Sequence, residues 1–431
     1  MTKLSRKLLL SIVTVALALV TLGATTFAWF TLSTRAEVQE FEVDVTSGAG
    51  IEISADGMSY SNYIKKDDIY AAINRARSST VLDHVTSPDG INFKTIGFDE
   101  DGEVHFDNSA TSGWTEFKLW FRSPEKDVKV YMLKNTTVTS TGIDWVADAA
   151  FKLTKDENST TEVGKTYTLY GANAVRISTT ENKVTPDSTS ESGFSYDDGE
   201  SAKVFELGYK DKGDQKLDTE IKTDYGSVAY YNTKNQNNPI TINPNNPPTL
   251  PEVYGYENLP ELKDLNTPDI KDTHVPVATL EAESNISGTT LYYGQITVRI
   301  WLEGWDPDMF NAIMADKIQI HLFFGGLSPS SLLSTGDVSS LALEVNGIQS
   351  FTVTVKGYTG EISVESSDPN VAKAEATIDQ NQETKQVTVT VTVTAVGEGE
   401  AKITISLGEE YPGVKKEIPV TVSNPSNPSN P

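Results

Sequence analysis

From Val38 onward apolar and polar residues alternate with a period of two, the pattern of strands that bury one face. Phe41, Val43 and Val45 fall on one side and Glu40, Glu42 and Asp44 on the other, and Ile51 and Ile53 follow across a Gly48-Ala49-Gly50 turn. The same alternation predicts strands at Phe117, Leu119 and Phe121, at Val128 to Leu133 after a Ser123-Pro124-Glu125 turn, and at Tyr167 to Tyr170, Ala174 to Ser178 and Val204 to Tyr209. The strongest two lie in Tyr292 to Glu303, where Ile296, Val298, Ile300 and Leu302 share a face, and in Lys317 to Phe324, where Ile318, Ile320, Leu322 and Phe324 do. Both are expected at the centre of a sandwich. Two short helices interrupt the strands: a surface helix over Ile64 to Arg77, and one opened by Asp306-Pro307-Asp308 and running to Asp316.

Two stretches break the pattern. Residues 183 to 203 are rich in Ser, Thr, Asp and Gly, and eight prolines fall between 232 and 276 amid many asparagines. Together they predict a long surface insertion, 183–279, with loop or extended polyproline character. A second change comes at Gly325-Gly326-Leu327-Ser328-Pro329, after which aromatics almost vanish and valine and threonine dominate. Phe351, Val353 and Val355, then Val387, Val389, Val391 and Val393, then Ile403 and Ile405, then Val420 and Val422, alternate between regular turns. The whole chain is therefore read as mainly β: a sandwich over 36–326 carrying the insertion, a second small sandwich over 327–422, and a Ser-Asn-Pro tail over 423–431.

Ahead of the first strand, Lys3, Arg6 and Lys7 precede an apolar run from Leu8 to Phe30, with no acidic residue before Glu37. That order is a secretory signal. As a helix the run would be roughly 35 Å long, enough to cross a hydrocarbon core of ~30 Å. Residues 1–30 are therefore either a signal peptide, cleaved between Ala28 and Trp29 after a small-x-small Thr26-Phe27-Ala28, or a retained membrane anchor with its basic end inside. Either outcome places the rest of the chain outside the cell, secreted or tethered.

Composition narrows the partners. Sixty acidic against 35 basic residues give a net charge of −25. That field repels nucleic-acid phosphates and anionic lipid, so no nucleic acid is expected and membrane contact only through the leader. Cysteine is absent, which removes disulfides, thiolate metal sites and cysteine nucleophiles and leaves stability to packed sheets.

Candidate chemistry is sparse. His84, His105, His274 and His321 are separate in sequence, without a His-Glu-x-x-His pair, a Gly-x-Ser-x-Gly elbow or a phosphate loop. No catalytic residue and no cofactor is expected, and the chain is read as not an enzyme; a secreted hydrolase is the remote alternative. Calcium is the one cation with a candidate place: Asp99, Asp101 and Glu103 in Asp99-Glu100-Asp101-Gly102-Glu103, whose competing reading is the tight turn of a hairpin between Ile96, Phe98 and Val104, Phe106. Trp301 and Trp305 are candidate ligand-contact rings for a glycan, against core or interface packing as the ordinary alternative. Trp301 shares a strand face with Thr297, Arg299 and Glu303 and so faces solvent or a second layer.

Two resemblances add to this reading. Ser366-Ser367-Asp368-Pro369-Asn370-Val371-Ala372, Val396-Gly397-Glu398-Gly399-Glu400-Ala401-Lys402-Ile403-Thr404-Ile405 and Ile418-Pro419-Val420-Thr421-Val422 resemble, in order and spacing, the bacterial immunoglobulin-like group 2 (BIG2) family. Val364 stands where members often carry tryptophan. The resemblance implies a non-catalytic extracellular immunoglobulin-like module. Thr26-Phe27-Ala28-Trp29-Phe30, Phe121-Arg122-Ser123 and Ile300-Trp301-Leu302-Glu303-Gly304 are similar to segments of exported proteins of the TasA and camelysin group. That implies a jelly-roll-like sandwich, a specialised (SipW-type) signal peptidase and a place in extracellular fibres or biofilm matrix; camelysin's peptidase label does not transfer without a site. The combined expectation is a structural or adhesive surface protein, a fibre or matrix subunit or accessory component, partnered by itself or other surface proteins. A glycan-binding adhesin is the alternative.

Overall fold

The computed structural model describes residues 36–46, 50–98, 104–105, 109–208, 221–243, 245, 249–255, 259, 274–286, 288–328, 332–336, 338–356, 360–381, 386–408 and 415–424. The leader with its Ala28–Trp29 junction, and the calcium candidates Asp99, Asp101 and Glu103, lie outside them. The chain is mainly β and of sandwich type, as the period-two pattern requires.

The long strands of the first sandwich are β1 (Ala36–Thr46), β2 (Trp114–Ser123), β3 (Val128–Met132), β4 (Val175–Pro186), β5 (Ala202–Glu206), β6 (Thr289–Glu303) and β7 (Lys317–Leu327). In one sheet β7 is central, parallel to β1 with Phe41 opposite Ile320 and Val45 opposite Phe324, and antiparallel to β3. In the facing sheet β6 is central, flanked by β2 from Trp301↔Trp114 to Tyr292↔Ser123 and by β4 from Leu302↔Val175 to Gln295↔Asn182. The two strongest strands of the sequence are thus central, but in opposite sheets rather than paired. Their inward faces meet: Ile296, Val298, Ile300 and Leu302 share one core with Ile318, Ile320, Leu322 and Phe324. Edge-on ring contacts bridge the sheets, Phe41 on Phe117 at 5.7 Å and Phe121 on Phe324 at 5.2 Å. Each such side chain contributes roughly 1.5–3 kcal/mol by leaving water.

The helix expected over Ile64 to Arg77 is α1, Lys66–Arg75, with Ile69, Ala72 and Ile73 on its buried stripe. The second expected helix is corrected. A short 3-10 turn covers only Asn311–Ala315, entered from Phe310, and the Asp306 carboxylate is not a helix cap. It caps a local turn at the Asp308 amide, 2.8 Å away, and is itself buried against Arg176. A charge that deep is spent on a partner rather than on a helix start.

The insertion is more built than loop composition predicted. Residues 183–186 extend β4 and pair with Phe194–Asp197 as a hairpin, and Gly226–Lys234 forms a helix, α2. Ile221, Val228, Tyr231, Ile240 and Leu250 bury together around Trp305. Gly97-Phe98 pairs with Val104-His105, the hairpin expected on either side of the acidic turn.

The second sandwich contains β8 (Ile348–Lys356), β9 (Ile362–Ser366), β10 (Ala372–Asn381), β11 (Gln386–Ala395), β12 (Gly399–Leu407) and β13 (Lys415–Ser423). One four-stranded sheet runs Leu333–Ser334, β8, β11, β10; the other runs Leu341–Glu344, β13, β12, β9. The alternating valines 387, 389, 391 and 393 face Ile403, Ile405, Ile418 and Val420. Gly325-Gly326-Leu327, where the composition changes, belongs to the end of β7 and pairs with β3. A Cβ on Gly326 would come within 2.7 Å of Ile51 and 2.9 Å of Val128, so the glycine permits close approach across the sandwich.

Candidate functional site

The polar side of the β6 sheet is where the molecule concentrates its charge chemistry. Period-two alternation puts Gln295, Thr297, Arg299, Trp301 and Glu303 of β6 on the face away from the main core, beside Arg176, Ser178, Thr180 and Asn182 of β4. All nine are buried. The hairpin, α2 and the segments around Phe93 and Val253 lie over them as a further layer.

Burial obliges these groups to satisfy one another. Asn182 donates to Gln295 Oε1 at 2.8 Å and to Thr297 Oγ1 at 2.9 Å. Arg299 donates to Glu116 at 2.7 Å and to Thr180 at 2.9 Å. Arg176, 2% exposed, lies between Asp306 Oδ2 at 2.8 Å and Glu206 Oε1 at 3.1 Å, themselves 1% and 0% exposed. Burial pulls the guanidinium pKa down, but Glu206, Asp306 and Glu303 outweigh it and hold Arg176 above its ordinary value. Glu303 accepts hydrogen bonds from Trp301 Nε1 at 3.0 Å and from the Trp305 amide at 3.3 Å. Burial pushes its carboxyl pKa up, and the Arg176 charge and these donors pull back only part of the shift.

The arrangement pins layers. Asp306 receives Arg176 from β4, while its carbonyl accepts from Ser227 Oγ at 3.0 Å and the Pro307 carbonyl accepts from the Ser227 amide at 2.7 Å. One turn therefore joins β4, the end of β5 and the start of α2. At the margin of this layer, a groove of about 690 Å³ is lined by Glu181, Lys183, Lys203, Glu281 and Tyr293. Glu181 closes one wall by accepting the Thr279 amide at 2.5 Å, and its burial raises its pKa.

The sequence candidates separate. Trp301 and Trp305 are each 0% exposed, which corrects their reading as ligand-contact rings. Trp301 packs with Val85, Phe93, Val204 and Val253 and meets Phe93 edge-on at 5.3 Å, and Trp305 anchors the cluster of the insertion. The layer over the sheet takes the space a sugar would need. His321 pairs through Nε2 with Asp44 at 2.6 Å and through Nδ1 with Glu42 at 3.2 Å, across the β1–β7 register. His84 meets Asp83 at 2.6 Å. Among the described residues no three histidine, aspartate or glutamate side chains are grouped to hold a metal ion. The reading by alternation left this face open between solvent and a second layer, took Asp306 for a helix cap, and did not single out Arg176 or Glu206, whose partners are distant in the chain. A signal was available: Trp301 between Arg299 and Glu303 on one face is an aromatic among charges, as a covered face needs and a solvated one does not.

Comparison with protein-family models and with curated proteins returns no match. Among solved structures the chain is similar to parts of the S-layer protein SbsC. With its domains 5–6 it shares 26% identity over 21% of this chain and 44% of that one, at a TM-score of 0.17. With domains 4 and 5 it shares 22% identity over 25% and 52%, at 0.17. With domains 1–6 it shares 12% identity over 78% and 41%, at 0.21. The matched part spans about half or less of those structures, and superpositions this loose establish no common fold. No helix among the described residues is long and apolar enough to cross a membrane.

Proposed function

We propose that this chain is an exported, non-catalytic surface protein that serves mechanically, as a self-associating subunit or accessory component of an extracellular fibre or matrix. The observation that carries the reading is an apolar seam between the two sandwiches. Tyr131, Leu133 and Leu327, at the end of the first, bury in one cluster with Leu332, Leu333, Phe351, Val353 and Val355 of the second. A subunit under mechanical load needs its units to move as one body, and a shared apolar cluster couples them. The basic-then-apolar leader supports export, and the resemblances to the BIG2 family and to the TasA and camelysin group support the surface location and fibre role. The buried charges of the first sandwich fit the same reading, since they join layers.

The test is association of residues 29–431. Sedimentation velocity and negative-stain electron microscopy should find dimers or longer assemblies at micromolar concentration. A sample that stays monomeric across salt and calcium conditions overturns the proposal. The glycan-binding alternative has no observation in its favour, since its two named rings are buried.

A further inference from the structure

Strand β10 is the last strand of its sheet, and among the described residues only β11 pairs with it. It runs from Ala372 to Asn381 in unbroken register with β11, without a bulge or proline. The end strands of the other described sheets are five residues or shorter. Short strands, bulges, prolines and charged side chains are the usual means of blunting an edge against another chain, and of these β10 has only charges, Lys373, Glu375 and Asp379. Its side chains sort cleanly by parity. Ala372 is fully buried, so Ala374, Ala376 and Ile378 share the inward side, and Lys373, Glu375, Thr377 and Asp379 the outward side. Ala376 and Ile378 are nevertheless exposed, Ile378 by 43%.

We propose that β10 pairs antiparallel with β10 of a second copy, about a twofold axis through Ala376, to make one continuous sheet across two molecules. The register follows from the residues. Directly opposite residues face the same side of a sheet, so each twofold register centres on one residue of the strand. Centring on Glu375 sets two glutamates face to face. Centring on Thr377 sets Glu375 against Asp379 twice. Centring on Ala376 sets Lys373 of each copy against Asp379 of the other, Glu375 against Thr377, and Ala374 against Ile378, over Ala372 to Gln380 of both strands. Opposite charges facing across a strand pair stabilise it and like charges destabilise it. The charges that would repel a second copy in the neighbouring registers therefore attract it in this one, and the exposed Ile378 gains a cover. This inference rests on the proposed self-association and names its surface.

Because the chain has no cysteine, single introduced ones report the register. In residues 29–431, Ala376→Cys should oxidise to a disulfide-linked dimer in near-quantitative yield. Ile378→Cys should not, because the two copies of position 378 lie four residues apart in register, roughly 13 Å at ~3.3 Å per residue, beyond the ~7 Å Cα span a disulfide bridges. Lys373→Asp should weaken association about tenfold by facing Asp379 with its like, and the further change Asp379→Lys should restore it. Equal cross-linking at 376 and 378, or no rescue by the charge swap, overturns the paired edge. If the wild-type chain still associates then, self-association itself stands; a monomeric wild type removes both.

Discussion

Glu303 shows how much of this molecule's behaviour is set by single buried charges. It sits 2% exposed between two tryptophans, with Arg176 as the nearby cation, and its pKa is raised by burial. A carboxyl whose folded pKa lies above its unfolded one binds its proton more tightly in the native state. Its stabilising contribution is therefore complete below the unfolded pKa and is lost as pH rises through the folded value. Glu303→Gln removes that dependence while keeping an acceptor for the Trp301 indole. Urea titrations of both proteins between pH 4 and 8 should show the variant gaining on the wild type as pH rises. Parallel curves would mean that the folded and unfolded states hold the Glu303 proton equally, and a wild type that gains on the variant as pH rises would mean that the Arg176 field outweighs burial. Arg176 acts in the opposite sense: its removal would strand Glu206 and Asp306 without their cation, a change that costs about 3–5 kcal/mol in buried pairs.

At the level of elements, the docking of α2 turns on one backbone angle. Gly226 has φ of +74°, and a Cβ there would meet Pro307 Cβ at 2.5 Å and its carbonyl oxygen at 2.6 Å. Gly164 has φ of +85° with nothing within 4 Å of a built Cβ. Gly164→Ala should therefore cost only the left-handed strain of ~1–2 kcal/mol. Gly226→Ala should cost more by a further ~1–3 kcal/mol of overpacking, and should raise acrylamide quenching of Trp305 as α2 lifts. Equal losses of stability at the two sites would show that α2 does not depend on its seat at Pro307. The strands themselves were legible in sequence because a half-buried strand writes its period into the residues, as Phe117, Leu119 and Phe121 do, each 0% exposed. α2 was not, because Gly-Ser-Val-Ala-Tyr-Tyr-Asn-Thr-Lys carries no clear apolar stripe and is held by tertiary contacts at its first turn. The Asp306 turn misled for a related reason: a local capping pattern says nothing of an arginine 130 residues earlier in the chain.

Over the whole molecule, the seam decides whether two sandwiches behave as one. Tyr131, Leu133 and Leu327 of the first sandwich are each no more than 5% exposed and share a core with the second, so they lose cover if it unfolds. At roughly 1.5–3 kcal/mol for each buried apolar side chain, the coupling is comparable with the total stability of an ordinary domain, about 5–15 kcal/mol. Neither sandwich can then melt without destabilising its neighbour. Differential scanning calorimetry of residues 29–431 should give one cooperative transition. Leu332→Asp places a charge in the seam, where it cannot be paired cheaply, and should split that transition into two while leaving far-ultraviolet dichroism at room temperature unchanged. Two transitions in the wild type, unmoved by the substitution, would make the seam a passive contact and remove the observation on which the mechanical reading stands.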